Sequence, residues 1–250
     1  MDLRIDHLSH TFAGRQPRPA IENLTLRVPT GQFVALVGPS GCGKSTLLRL
    51  IAHLLTPTQG AISLGGLTPS EAVAQQRIAW MAQSPALLPW LTVFDNAALA
   101  GRLSPAGASA GSLPPDEALR RVRLSDVAGS FPFMLSGGMQ QRLALARTLT
   151  LPAKLWLMDE PFAALDELTR ERLAEELLEL WRPLRPTVLW VTHNLHEAVR
   201  LADRVLVLTP RPARVAADIA VDLPHPRDDG DPAFIDVLRR VRGALTVEEV

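Results

Sequence analysis

The nine residues GPSGCGKST, Gly38 to Thr46, constrain this chain more than any other stretch. They follow QFVALV, an apolar and β-branched run. They precede STLLRLIAHLL, where Leu47, Leu50, Ile51 and Leu54 fall on one helical face. The pattern G-x-x-x-x-G-K-[ST] between a strand and a helix describes a loop that turns its backbone N–H groups inward around phosphate oxygens. Gly38, Pro39, Ser40, Gly41, Cys42, Gly43, Lys44, Ser45 and Thr46 make up that cradle. The helix N-terminus adds its positive end, Lys44 neutralises the terminal phosphates, and the Ser45 hydroxyl is placed to coordinate Mg²⁺. The competing reading is a plain strand-to-helix turn with incidental glycines.

Composition sharpens the reading of Lys44. Lys44 and Lys154 are the only lysines, and arginine supplies the rest of the positive charge. A compact ammonium reaches between phosphate oxygens where a planar guanidinium needs more room. Twenty-six basic residues balance twenty-six acidic ones, so no global positive field argues for nucleic acid. With 47% hydrophobic residues in 250, the chain can bury one large domain or two closely joined lobes. The opening MDLRIDHLSH has no apolar signal core, no run of about eighteen apolar residues spans a bilayer, and the single Cys42 excludes an internal disulfide. These features predict a cytosolic chain whose membrane contact runs through a partner.

Along the chain, RIAWMAQ reads as a strand after the glycine-rich turn LGGLTPS, and the strand signal then disappears from Ser84 to Thr150. VFDNAALAGRL, PDEALRRVRL and MQQRLALARTL read there as helices, with SPAGASAGSLPP as a flexible connection. KLWLMDE and PTVLWVTH return as strands buried on both faces of a parallel sheet, joined by the crossover helix ELTRERLAEELLELW. RVLVLTP begins a final strand pair, and the Pro/Arg-rich segment from Pro210 onward reads as a loose C-terminus.

Strand ends carry the remaining chemistry. Asp159 and Glu160 close a buried strand, where open α/β sheets place reactive groups. Asp159 suits the Mg²⁺ shell, and Glu160 suits deprotonation of a water attacking the γ-phosphate; a solvated acidic cap is the alternative. His193 closes PTVLWVTH within reach of a phosphate oxygen, though a strand-end histidine is also commonly structural. HNLHE raises a zinc reading, but its order is not H-E-x-x-H and a third ligand is not evident. Gln83, after RIAWMAQ, can contact Mg²⁺ or the attacking water and withdraw when the helical lobe rotates; an ordinary polar loop residue is the alternative. Pro89, Trp90 and Leu91 read as an exposed docking loop, against burial of Trp90 in the core.

The order of the Gly38 loop, Gln83, LSGGMQQR, LMDEP, FAALD and His193 resembles the nucleotide-binding subunits of ATP-binding cassette transporters, over residues 1–208. The resemblance implies an α/β P-loop NTPase (RecA-like) core with N-terminal antiparallel β strands and an inserted α-helical subdomain. It divides the chain into a core of 1–83 and 151–208, a helical subdomain of 84–150 and a tail of 209–250. It implies ATP and Mg²⁺, and a head-to-tail dimer in which Ser136, Gly137, Gly138 and Gln140 bind the nucleotide held by the other subunit. Their chemistry agrees, since Ser136 can cap a helix beginning near Met139 and two glycines leave its N–H groups open. Asp166 becomes the residue linking the two sites. Phe12 takes the aromatic position that stacks on adenine, where the family commonly has tyrosine; this chain has none.

Three further departures mark the chain: Phe133 and Met134 stand where more polar residues usually precede LSGG, and Asn194 replaces an acidic residue after His193. GPSGCGKSTLLRLIA, LLPWLTVFDNAAL, LSGGMQQRLALARTL and RPARVAADIAVDLPHPR resemble the importer branch for nitrate, sulfonates, taurine and related compounds. That branch implies an ATPase at the cytoplasmic face of the inner membrane. Permease subunits would dock near Gln83, Trp90 and Asp95, and a solute-binding protein would choose the cargo. An exporter or envelope-remodelling cassette is the alternative. A soluble cassette acting on DNA or ribosomes is disfavoured by the lack of a long heptad insertion, a second cassette or a basic tract.

Overall fold

A computed structural model describes residues 1–14, 16–103 and 113–246. Of the stretch read as a flexible connection, 104–112 lie outside the described residues. The strands and helices in chain order are β1 (Leu3–Phe12), β2 (Arg18–Val28), β3 (Phe33–Val37), α1 (Lys44–Ile51), β4 (Gln59–Leu64), α2 (Pro69–Ala74), β5 (Ile78–Met81), α3 (Val93–Leu103) and α4 (Pro115–Arg121). They continue as α5 (Gly137–Leu149), β6 (Leu155–Asp159), α6 (Glu167–Leu184), β7 (Thr187–Val191), α7 (Leu195–Leu201), β8 (Arg204–Leu208), β9 (Val215–Ala220) and α8 (Pro232–Thr246). The chain forms two compact units, residues 1–75 with 185–250 and residues 76–184. Strands β5 and β6 and helix α6 therefore group with the helices that follow Ser84.

The first unit holds the antiparallel sheet β2-β1-β4. Leu3 and Ile5 of β1 are buried and Arg4 and Asp6 are exposed, the alternation of a half-buried strand. The register shifts between Ile5 and Leu8, with His7 at a φ of 48°. This bulge moves the inward face from odd to even positions, so Leu8, His10 and Phe12 share one side. Opposite it, Gly60 has a φ of 83°, and a Cβ there would stand 2.4 Å from the His7 carbonyl oxygen, so glycine is required.

The same unit carries the strand order β7-β3-β8-β9. β3 runs parallel to β7 and β8, and β9 returns antiparallel to β8. Every residue of β3 and β7 is buried, which is why both read as unbroken apolar runs. α1 buries Leu47, Leu50 and Ile51 as expected, but Leu54 is 59% exposed. The helix stops at Ile51 and His53 turns to a φ of 57°, which removes Leu54 from the helical face.

The C-terminal segment is not loose. α8 buries Phe234, Val237, Leu238 and Val241, one face at helical spacing, against α7, β8 and β9. Ahead of it Arg227 donates to the carbonyls of Val199 (2.6 Å), Ala202 (2.7 Å), Leu223 (3.1 Å) and Val221 (3.2 Å). Burial pushes its guanidinium down to about 10. Prolines and charges between the apolar positions hide this helix from a reading based on apolar density.

In the second unit β5 and β6 pair in parallel, and α5 packs against α3, α4 and β5. The unit thereby sets Asp159 at the carboxyl end of β6. Phe234→Ala is expected to destabilise the chain by about 3–5 kcal/mol, because Phe234 is fully buried. Urea unfolding checks this, and a change near zero would return the C-terminal segment to a loose tail.

Candidate functional site

The phosphate loop leaves β3 at Val37 and enters α1 at Lys44. Gly43 has a φ of 130°, and a Cβ there would stand 2.8 Å from the Ala20 carbonyl oxygen and 3.1 Å from the Ala213 Cβ. No other residue type fits without moving backbone. Lys44 is buried, and its Nζ donates to the carbonyls of Gly38 (2.7 Å) and Pro39 (2.9 Å), 3.8 Å from the Cys42 sulfur. The ammonium is thus held inside the loop. Gly43, the N-cap of α1, offers no side-chain acceptor, and the first turn has no acidic residue. The first-turn N–H groups and the positive end of the helix dipole therefore suit an anion. Ser40 and Gly41 are exposed on the loop, while Ser45 and Thr46 lie half-buried in the first turn.

Two further predicted residues lie in this unit. Phe12 ends β1 and, with Ala13, Gly14, Gln16 and Arg18, lines a cleft of about 510 Å³. His193 follows β7 by two residues and is exposed. Its neighbours have structural duties: Asn194 caps α7 by accepting the Glu197 N–H (3.1 Å), and buried Glu197 accepts the Trp190 indole N–H. His196 faces Asp229 at 3.5 Å. HNLHE is the start of a helix capped by Asn194.

The second unit brings together Gln83, Glu160 and the start of α5. Asp159 is buried at the end of β6, and Glu160 takes a φ of 48°, a conformation that costs a non-glycine residue about 1–3 kcal/mol. The amide of Gln83 lies 3.5 Å from Glu160 Oε2, at the outer limit of hydrogen bonding. The Gln141 amide approaches the Glu160 carbonyl at 3.5 Å, and the Ala163 N–H donates to it at 3.2 Å. These contacts hold the strained residue, and neither the strain nor the role of Gln141 is legible in the spacing of residues.

LSGGMQQR forms the turn and first coils of α5. Ser136 is the N-cap, its Oγ accepting the Met139 N–H at 3.3 Å. The helix begins at Gly137, two residues before the expected start. Gly137 has open space around it, whereas Gly138 lies close to the Ala164 carbonyl. The Gln140 amide donates to the Pro132 (3.0 Å) and Leu135 (3.3 Å) carbonyls, which ties it to the approach loop. In that loop Phe133 and Met134 are exposed, and Phe131 stacks on Phe133. Asp166 is exposed, with Oδ1 accepting the Thr169 N–H at 2.9 Å; that bond holds its carboxyl below the usual carboxylate range.

Trp90 is 70% exposed on a turn, which settles it against core burial. Two residues brace that loop. Buried Asn96 accepts the Leu88 N–H (2.9 Å) and donates to the carbonyls of Leu88, Leu91 and Thr92. Arg147, on α5, donates to the carbonyls of Pro85 (2.7 Å) and Ala86 (2.9 Å), and burial lowers its pKa. The signal for Arg147 was a lone charge inside the apolar run LALARTL. Asp95 is engaged within α3, where the Thr92 hydroxyl first and Arg102 second hold its carboxyl below the usual range.

A strand, a glycine cradle around a buried lysine and an uncapped helix define a nucleotide-binding α/β cassette. Residues 21–163 match the ABC transporter family. The aliphatic sulfonates import ATP-binding protein SsuB 1 of Paracoccus denitrificans is 42% identical, over 98% of this chain and 94% of its own. The taurine import ATP-binding protein TauB of Rhizobium johnstonii is 38% identical, over 97% and 96%. A dimeric post-hydrolysis structure of the ATP-binding cassette MJ0796 bound to ADP and Pi superimposes with a TM-score of 0.79, at 28% identity, over 89% of this chain and 100% of that one. The chain belongs to the ABC transporter family and has its cassette fold, with an N-terminal antiparallel sheet. It is the ATP-binding and ATP-hydrolysing subunit of such a system. No helix among the described residues is long and apolar enough to cross a membrane.

Arg147→Met removes both charge-assisted bonds to the Pro85 and Ala86 carbonyls. Amide exchange at residues 85–92 is expected to accelerate about tenfold or more, with residues 33–51 unchanged. Unaltered exchange at 85–92 would remove Arg147 as the brace.

Proposed function

We propose that the chain powers an importer of nitrate-, sulfonate- or taurine-like small solutes, working as a head-to-tail dimer at the cytoplasmic face of the membrane. The observation that carries the ATP half of this reading is the phosphate loop, with Lys44 held between the Gly38 and Pro39 carbonyls. The named relatives support the solute class, and the dimeric cassette bound to ADP and Pi supports the assembly.

In this reading Gly38 to Thr46 cradle the phosphates and Phe12 stacks on adenine. Ser45, Gln83 and Asp159 offer the hard oxygen donors that Mg²⁺ prefers, and the ion when bound would neutralise charge between the β- and γ-phosphates. Glu160 is the general base, and the Gln83 amide beside its carboxylate orients both the base and the water. His193 contacts the γ-phosphate. Ser136, Gly137 and Gly138 meet the nucleotide of the other subunit, Gln140 shapes their turn, and Asp166 links the two sites. The permease docks around Gln83, Trp90 and Asp95, and a solute-binding protein selects the cargo. Trp90 supports that docking surface because it is exposed on a loop that Asn96 and Arg147 keep in shape.

ATP then drives transport by favouring the closed dimer. Moving that equilibrium from 1:99 to 99:1 takes about 5.5 kcal/mol of differential affinity, which contacts made only on closure must supply.

Glu160→Gln is expected to keep ATP binding while cutting turnover by about 10²–10⁴ and accumulating a dimer, read by light scattering with ATP. Near-normal ATPase would remove Glu160 as the base. Lys44→Ala and Ser136→Arg chains should each be inactive alone. Mixed, they should recover about a quarter of the activity, because half of random dimers are mixed and each has one intact composite site. A mixture as inactive as its parents would rule out pairing between subunits.

A further inference from the structure

Arg211 lies between β8 and β9, in the segment that the sequence reading left without a role. That segment is built into the nucleotide unit. The Ala213 N–H donates to the Ala20 carbonyl (2.9 Å), and the Ala213 carbonyl accepts the Glu22 N–H (3.1 Å), so the segment runs alongside β2. Ala213 also borders the phosphate loop, its Cβ 3.1 Å from where a Gly43 side chain would begin. Two residues earlier, Arg211 fixes the plane of its guanidinium: Nε donates to the Pro19 carbonyl at 2.8 Å and Nη2 to the Arg18 carbonyl at 3.3 Å. Its Cζ then stands 5.9 Å from the centroid of the Phe12 ring.

The anchoring carbonyls belong to the strand paired with that of Phe12, since Phe12 faces Arg18 and Thr11 faces Pro19 across the β1–β2 ladder. From the same face of β1, His10 meets the ring edge-on, 4.7 Å away at 87°. Buried His10 has no hydrogen-bond partner on either ring nitrogen among the described residues, so it serves here as packing. Among the described residues Phe12 thus has an aromatic and a cationic neighbour while remaining 36% exposed on its cleft.

We propose that Arg211 is a positioning residue for the nucleotide base, holding the Phe12 ring in the orientation that stacks on a purine. A phenyl ring at a strand end has no hydroxyl to anchor it, and a chain without tyrosine has to fix it by other contacts. A cation within about 6 Å of a ring is attracted to its π face, and a ring held before the base arrives loses less freedom on stacking. The backbone bonds of Arg211 make the cation a fixed one. This proposal rests on the reading of the phosphate loop as an ATP site.

Calorimetric titration of the full chain with MgATP and with magnesium tripolyphosphate, which has the phosphates and no base, separates the two readings. Arg211→Met is expected to raise the Kd for MgATP about two- to five-fold and to leave tripolyphosphate binding unchanged. Unchanged tripolyphosphate binding also shows that the variant is folded. In a Phe12→Ala background, Arg211→Met should add no further loss, because the two residues act as one unit. Wild-type MgATP affinity in Arg211→Met, an equal loss for tripolyphosphate, or full additivity with Phe12→Ala would each overturn the proposal. Failure of the unsubstituted chain to bind either ligand would instead overturn the ATP site itself.

Discussion

The contact between Gly43 and the Ala20 carbonyl is the constraint on which the nucleotide unit depends. A Cβ at Gly43 would stand 2.8 Å from that oxygen, so only glycine lets the phosphate loop rest on β2 and on Ala213. The loop can then turn its backbone inward at the mouth of β3, a strand buried on both faces between β7 and β8. Inside the turn Lys44 meets two carbonyls, which offset the cost of taking an ammonium out of water. A guanidinium is too broad for the same gap. That explains why a chain with 26 basic residues, almost all arginine, keeps a lysine at this position.

A second constraint organises residues 76–184. Glu160 follows β6 in a left-handed conformation that persists only where neighbours over-determine it. Two adjacent glutamines of α5 turn in different directions here. Gln141 approaches the Glu160 carbonyl, while Gln140 ties the helix to the loop before the signature. Further along the same helix, Arg147 holds the carbonyls of Pro85 and Ala86 below the exposed Trp90. One helix therefore connects the signature turn, the carboxylate proposed as base and the loop proposed to meet the permease. A rigid element touching all three is the kind of part that population-shift coupling requires.

The elements legible in the sequence were those whose burial is continuous or strictly periodic. β3 and β7 are apolar at every position because both faces are covered, and the glycine loop between β3 and α1 followed from its spacing. The face of β1 was not legible, because the bulge at His7 changes parity within the strand and no residue announces it. Leu54 was misplaced because the left-handed turn at His53 ends α1 without a glycine. α8 was missed because Phe234, Val237, Leu238 and Val241 are diluted among charged residues, and the Arg227 clamp that fixes the segment before it acts on backbone carbonyls. The residues of the proposed site can be named from the sequence by type and spacing. Their partners, such as Gln141 for Glu160 and Arg211 for Phe12, come from distant segments that only the fold brings near.

The two anion-facing turns differ in a way that fits their proposed tasks. α1 has Gly43 at its N-cap, which offers no side-chain acceptor, and a buried lysine adds its charge. α5 has Ser136 at its N-cap, whose hydroxyl already takes the Met139 N–H, and its first turn has no cation. The first turn suits tight retention of a polyphosphate, while the second offers fewer donors and only the partial charge of its helix dipole. A subunit that must hold ATP throughout a cycle, and grip its neighbour's ATP only when closed, needs this inequality. Two equally strong cradles would favour a closed dimer that opens slowly after hydrolysis, whereas a weak second half-site would make closure depend on the γ-phosphate it is proposed to touch.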